Sequence, residues 1–217
     1  NLAFNGTGTN NIYMLNNSNL SFVKSVGGPD AGAAIPNTDI GTFSTTSQAQ
    51  LPVAIQVTRS ETVSVGGTNY VYVLGGYSGG ARSSVYKSTV DTSGNLGTFS
   101  TASQGQLPTT NFYQSVNQLT QGASSYIYVL GGYNGSVFST VYKATVDTSG
   151  NIGAFSTASQ GQIPHTSREH SSEIATIGGT SYVYVLGGTN GTVFSTVYKA
   201  PIDTSGNIGA FSTASQG

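Results

Sequence analysis

The chain has no cysteine, no tryptophan and a single methionine, and only 7% of its 217 residues are charged. Each shortage removes a class of function. Without cysteine there is no disulfide framework, no thiol nucleophile and no thiolate metal site. Globular proteins carry roughly 25% charged residues, so polarity here must come from Ser, Thr, Asn, Gln and Gly. Lys and Arg number 7 against 8 Asp and Glu, for a net charge of −1. That scattered balance leaves no basic footprint for nucleic acid or an anionic membrane. No apolar run reaches the ~18 residues of a membrane span. No signal peptide is visible either, and the opening Asn-Leu-Ala-Phe fits a mature form or a fragment. Uncharged, hydroxyl-rich surfaces are common outside the cell, so an extracellular or cell-surface location is expected.

What is abundant is repetition. Tyr70–Gly76 returns as Tyr126–Gly132 and Tyr182–Gly188, a period of 56 residues. Phe43, Phe99, Phe155 and Phe211 keep the same step, each followed by Ser-Thr. Disorder is excluded by the orderly return of Tyr, Val, Ile and Phe. A period this long, built of strands and turns, marks an array in which each unit buries its apolar faces on its neighbours.

The last unit reads most clearly. Ser172–Ile177 is a first strand, followed by a tight turn at Gly178-Gly179. Tyr182–Leu186 is a second strand, with Tyr182, Tyr184 and Leu186 on one face and Val183 and Val185 on the other. Neither face is polar, so both are buried where sheets stack. Val193–Ile202 is a third strand. Asp203-Thr-Ser-Gly-Asn207 is a hairpin turn in which the Asp side chain bonds backbone amides and Gly206 takes the left-handed position. Gly209–Ser215 completes a four-stranded antiparallel blade.

These residues resemble the kelch repeat. The Gly75-Gly76, Gly131-Gly132 and Gly187-Gly188 doublets end the second strand, and Tyr86, Tyr142 and Tyr198 lie in the third. The family's tryptophan position holds Phe43, Phe99, Phe155 and Phe211, which still offer an aromatic anchor. The resemblance implies an all-β propeller of four kelch-like units, approximately 1–50, 51–106, 107–162 and 163–217. Four such blades form a four-bladed body or a segment of a larger ring. The first unit departs from the pattern: Asn16-Asn17 stands for the glycine doublet, and no Val-Tyr-Lys follows. Kelch propellers serve as enzymes, adaptors and adhesins alike, so the resemblance leaves function open.

Comparing units shows where they differ. The Asp-Thr-Ser-Gly-Asn turns recur unchanged, whereas the connections from one blade to the next differ strongly: 53–59, 109–115 and 165–171. The loops between second and third strands also differ. Both kinds of loop emerge on one face of an up-and-down blade, so that face is the expected binding surface. Tyr77, Phe112, Tyr113 and Tyr133 offer plates for stacking, and Asn111, Gln114, Asn134 and Asn190 offer amides to hydroxyl groups. Arg59, Arg82, His165, Arg168 and His170 complete the expected ligand-binding set. The alternative for Tyr77 and Tyr133 is packing between blades. Sequons occur at Asn5, Asn16, Asn19, Asn134 and Asn190, of which Asn134 and Asn190 sit in exposed loops and are the expected glycosylation sites.

Catalytic readings fit poorly. His165, Glu169, His170 and Glu173 match no zinc spacing, so no metal or other cofactor is expected. A Ser-His-Asp triad needs a buried Asp, and every repeated Asp lies in a hairpin turn. Tyr–Cys crosslink chemistry fails for want of cysteine. Arg59, Arg82 and Arg168 stand in positions unmatched to a sialidase triad. Gly75–Gly80 lacks the Lys-Ser/Thr of a phosphate loop. The leading expectation is a non-enzymatic structural or adhesive module of a surface protein or fibre, with a protein or glycan partner and self-association. A lectin-like glycan binder is the alternative, and a carbohydrate-active propeller enzyme the third.

Overall fold

The computed structural model describes residues 45 and 48–213, together with three short segments, 3–5, 12–16 and 19–26. The chain divides into two compact units, Asn1–Ser44 and Thr45–Gly217. Both are built from antiparallel three-stranded sheets, and no helix occurs among the described residues. The fold is all-β.

In the N-terminal unit β1 (Ala3–Asn5), β2 (Ile12–Asn16) and β3 (Asn19–Val26) pair in chain order. Register shifts interrupt the β2–β3 pairing after Tyr13 and after Leu15. β2 ends at Asn16, the residue that stands where the later units begin their glycine doublet. Phe43 lies outside the described residues.

The second unit holds three sheets with one plan. They comprise β4 (Arg59–Val65), β5 (Thr68–Leu74) and β6 (Val85–Val90); β7 (Ser115–Gln121), β8 (Ser124–Leu130) and β9 (Val141–Val146); and β10 (Ser171–Ile177), β11 (Thr180–Leu186) and β12 (Val197–Ile202). Each trio falls inside one unit of the sequence repeat. At Gly66-Gly67, between β4 and β5, both glycines have positive φ (58° and 80°). That is the backbone of the two-residue hairpin turn whose twist matches the strands. Gly178 and Gly179 repeat it at 58° and 82°.

Two expectations are corrected. The third strand starts at Val197 rather than Val193, because Val193 bridges back to Thr189 within the preceding loop. The fourth strand is also not a ladder. Ser100, Ser156 and Ser212 bridge to Lys87, Lys143 and Lys199, and Leu96, Ile152 and Ile208 bridge to Val90, Val146 and Ile202. Between those two bridges the pairing slips by one residue. Gly97, Gly153 and Gly209 donate their amides to the carbonyls of Thr89, Thr145 and Pro201 at the slip. A bulge of this kind bends the chain and breaks the ladder into isolated contacts.

The first strands, β4, β7 and β10, lie side by side, and the sheets pack face to face behind them. The Tyr70, Tyr72 and Leu74 face of β5 packs with Ile127 and Val129 of β8 in one core cluster. The Tyr126, Tyr128 and Leu130 face of β8 packs in the same way with Val183 and Val185 of β11. A third cluster places Ala49, Leu51 and Ile55 against Val71, Val73, Tyr86 and Phe99 on the other face of the first sheet. Strand alternation therefore assigns aromatics to one face and β-branched residues to the other, and stacking interleaves the two. Each fully buried Leu, Ile or Val contributes roughly 1.5–3 kcal/mol. A charge at Val129, which is 0% exposed, would break the joint.

Candidate functional site

The inter-sheet connections and the loops after the second strands do meet on one face. Gln56 bridges Tyr77, Phe112 bridges Tyr133, and Arg168 bridges Thr189. These bridges set connection residues and loop tips alternately along one line. The Phe112 ring stands between two tips, with its centroid 5.4 Å from that of Tyr77 and 5.3 Å from that of Tyr133 in edge-to-face geometry. Arg168 continues the line, its guanidinium 4.8 Å from the Tyr133 ring centre and 5.8 Å from that of Tyr113. Tyr113 lies 4.9 Å from Phe112. All five side chains are half-buried, so they form a ribbon of rings ending in one cation. The pairing is favourable, since aromatics prefer edge or tilted contacts and cations sit over ring faces.

Tyr113 has φ +59°, a left-handed value uncommon for a bulky side chain. Val57 and Glu169, one period away on either side, share it at 57°. The strain therefore belongs to the connection's frame and not to Tyr113 alone. Its cost, on the order of 1–3 kcal/mol per residue, is carried by the tight seating of the loops. A Gly76 side chain, for instance, would strike Ile55, Thr58 and the Gln56 carbonyl.

Two of the expected ligand residues, Asn111 and Gln114, are buried fasteners. Asn111 is 1% exposed; its amide donates to the Gly131 carbonyl, and its Oδ1 accepts from the Tyr133 amide. Gln114 is fully buried and donates to the Leu74 carbonyl of the preceding sheet. Neither amide faces solvent. Internal pairing offsets the cost of burying a polar group, although Gln114 Oε1 has no hydrogen-bond partner among the described residues. Arg59 donates to the Thr58 carbonyl and Arg82 to the Ser78 carbonyl, both half-buried. The His165 ring stacks 4.0 Å from Phe194 and lies 5.1 Å from Tyr198. Asn134 and Asn190 are exposed in their turns.

His170 is 3% exposed and lies in a polar seam between β7 and β10. Its Nε2 is 2.8 Å from Ser115 Oγ. The Ser172 hydroxyl is 2.7 Å from Ser115 Oγ and donates to Asn117 Oδ1, while Asn117 Nδ2 donates to the Ser172 carbonyl. Burial, with Arg59 and His165 nearby, lowers the His170 pKa to about 4. The imidazole is therefore neutral near pH 7. Ser115 and His170 resemble a nucleophile–base pair only in composition. Both are enclosed, and no described group bonds His170 Nδ1 in the orienting role of a triad carboxylate. Beside this seam, burial and Glu173 raise the Glu61 pKa to about 7.

The joints between sheets carry a second constellation that the repeat analysis missed. Tyr72 donates its hydroxyl to the Gly150 carbonyl, and Tyr128 donates to that of Gly206, both at 2.7 Å. Lys87 donates to the Ser149 carbonyl and Asn151 Oδ1; Lys143 does the same at Ser205 and Asn207. Gln104 and Gln160 donate to those asparagines and accept from the amides of Ile152 and Ile208. The Asp147–Asn151 and Asp203–Asn207 turns are thus each gripped by a Tyr, a Lys and a Gln from the unit before. Asp147 and Asp203 hold the turn itself, accepting from the amides two and four residues on. These bonds hold their carboxyls below the ordinary range. The signal was present in the sequence as an invariant turn beside invariant Tyr and Lys, a uniformity that chain geometry alone does not demand.

Among the described residues, no three His, Cys, Asp or Glu side chains cluster to hold a metal. No known family model matches the chain, and no curated protein matches it.

Proposed function

We propose that this chain is a non-enzymatic, kelch-like propeller array that acts as a structural and adhesive module at the cell surface or outside the cell. Four units fit either a four-bladed body or part of a larger ring. The observation that supports the reading is the ribbon Tyr77, Phe112, Tyr133 and Arg168, which crosses three consecutive repeats on an otherwise uniform frame. Its length suits an extended partner, and its half-exposed rings suit an apolar protein segment or the faces of uncharged sugars.

The ring stack also favours a glycan partner as the second reading, because pyranose faces pack on such plates without requiring charge. Protein and glycan arrays probed with the intact protein, alongside Phe112→Ala and Arg168→Ala, test both. Selective binding that the two substitutions abolish supports the face as the partner site. Binding confined to glycans selects the lectin reading. Partner binding unchanged by both substitutions would exclude this face.

A further inference from the structure

The loop tips after β8 and β11 each carry an Asn-Gly pair, Asn134-Gly135 and Asn190-Gly191, on one backbone frame. The Asn134 amide donates to the Ser136 carbonyl and the Asn190 amide to the Thr192 carbonyl, while Gly135 and Gly191 turn with φ +120° and +116°. Both asparagines and both glycines are exposed. In an Asn-Gly pair the asparagine carboxamide lies open to the next main-chain nitrogen, because glycine puts no side chain in the way. A side-chain carbon on either glycine would meet no described atom within 4 Å. Neighbouring loops therefore shield neither pair.

The two tips differ in what holds the reacting atoms. At the second, the Gly191 amide donates to Thr189 Oγ1 at 3.0 Å, and Asn190 Oδ1 accepts from the Thr192 amide at 3.3 Å. The nitrogen that would attack and the carboxamide that would be attacked are both tied. At the first, Tyr133 stands where Thr189 stands and has no short hydroxyl to offer. Its ring faces Phe112 and Arg168 instead. Among the described residues nothing bonds the Gly135 amide or the Asn134 side chain. One residue of the repeat, Tyr for Thr, thus separates a free Asn-Gly pair from a fastened one.

We infer that Asn134 is a self-modifying site, at which the chain converts its own carboxamide to a carboxylate through a cyclic imide, while Asn190 is held back. The Gly135 nitrogen gives its proton to hydroxide and attacks Asn134 Cγ. The N–Cγ bond forms, the Cγ–Nδ2 bond breaks, and Nδ2 takes a proton from water and leaves as ammonia. Water then opens the imide. Cleavage at Cγ gives aspartate, and cleavage at the main-chain carbonyl carbon gives isoaspartate. In sum, water is consumed and ammonia released, with no other reactant, because nucleophile and carbonyl sit on neighbouring residues. The product sets a negative charge on the tip next to Tyr133, whose ring carries the Arg168 guanidinium at 4.8 Å. The isoaspartate form also lengthens the main chain of the tip. The site thus ages the Tyr77–Arg168 face chemically, whether or not that face binds a partner.

Peptide mass spectrometry tests it on folded protein made in a host without N-glycosylation and incubated at mildly alkaline pH. Enzymatic methyl transfer detects the isoaspartate. Asn134 is expected to lose its amide about tenfold faster than Asn190 or more, the cost of breaking two ordinary hydrogen bonds. Thr189→Val frees the Gly191 amide and should speed Asn190 about threefold or more, with Asn134 unchanged. In denaturant the two sites should converge, since the difference belongs to the fold. Equal folded rates, or a faster Asn190, overturn the inference. So do an Asn134 that keeps its amide while the denatured chain loses it, a Thr189→Val chain with Asn190 unchanged, and a difference that persists in denaturant.

Discussion

The hydroxyl of Tyr128 donates a 2.7 Å hydrogen bond to the carbonyl of Gly206, 78 residues further along the chain. Tyr128 is 0% exposed, so Tyr128→Phe leaves that carbonyl short of a partner inside the joint. A loss of about 1–3 kcal/mol in denaturant unfolding is expected. Tyr72→Phe should cost a similar amount. Tyr184→Phe, with no described partner to lose, should leave the stability of the monomer unchanged.

The same joints predict unequal glycines. Gly206 has φ +72°, and a side-chain carbon there would collide with the Tyr126 ring. Gly206→Ala therefore combines backbone strain with a displaced ring, and a loss of about 1–3 kcal/mol or more is expected. Gly94 has φ +82° over open space, so Gly94→Ala should pay the backbone strain alone. Thermal melts of the two variants should rank Gly206→Ala as the less stable.

His170 predicts an acid-side loss of stability. Its folded pKa is about 4 against an ordinary 6.5, so the unfolded chain takes up the proton first. The contribution is complete above pH 6.5 and disappears as pH falls toward 4, in total about 3 kcal/mol. Unfolding curves between pH 7 and 4 should show a net slope of that sign, reduced by Glu61, and His170→Gln should remove or reverse it.

Glu61 acts in the opposite sense. Its folded pKa of about 7 exceeds the ordinary 4.5, so the folded protein holds the proton more tightly. That contribution is present at low pH and is lost as pH rises through 7. Glu61→Gln should therefore steepen the acid-side loss that His170 sets between pH 4.5 and 6.5, a smaller change than His170→Gln makes because Glu61 is only half-buried.

Phe112→Ala removes the ring that spaces Tyr77 from Tyr133. Each edge-to-face pair contributes about 0.5–1.5 kcal/mol beyond simple burial, so the variant should lose roughly that for each pair and remain folded. Near-ultraviolet dichroism should report the loosened tyrosines, while far-ultraviolet spectra keep their strand signature.

Strand positions were largely legible because alternation and β-branching act locally. Tyr182–Leu186 was read directly, and the observed strand extends it by only the turn-proximal Thr180 and Ser181. The fourth strand was not legible. Its residues alternate like a strand, but whether they form a ladder depends on register against the third, and the slip at Gly209 is a tertiary outcome. At the candidate face, the loop positions of Tyr77, Phe112 and Tyr133 were legible, and their packing against one another was not. Asn111 and Gln114 misled because an amide suits a buried carbonyl as well as a solvent-facing ligand. The joint grip escaped notice because its partners lie 47 to 78 residues apart, beyond any local pattern.

The joint has a genetic corollary. Each repeat carries the Tyr and Lys for the turn ahead and the turn for the repeat behind. Unequal crossing-over that copies one repeat would therefore add a joint without inventing a contact, and loss of one repeat would reseal the array. Length can change by recombination while sequence stays constant. The near-identity of the Asp147 and Asp203 turns, with the residues that grip them, is what such a history would leave.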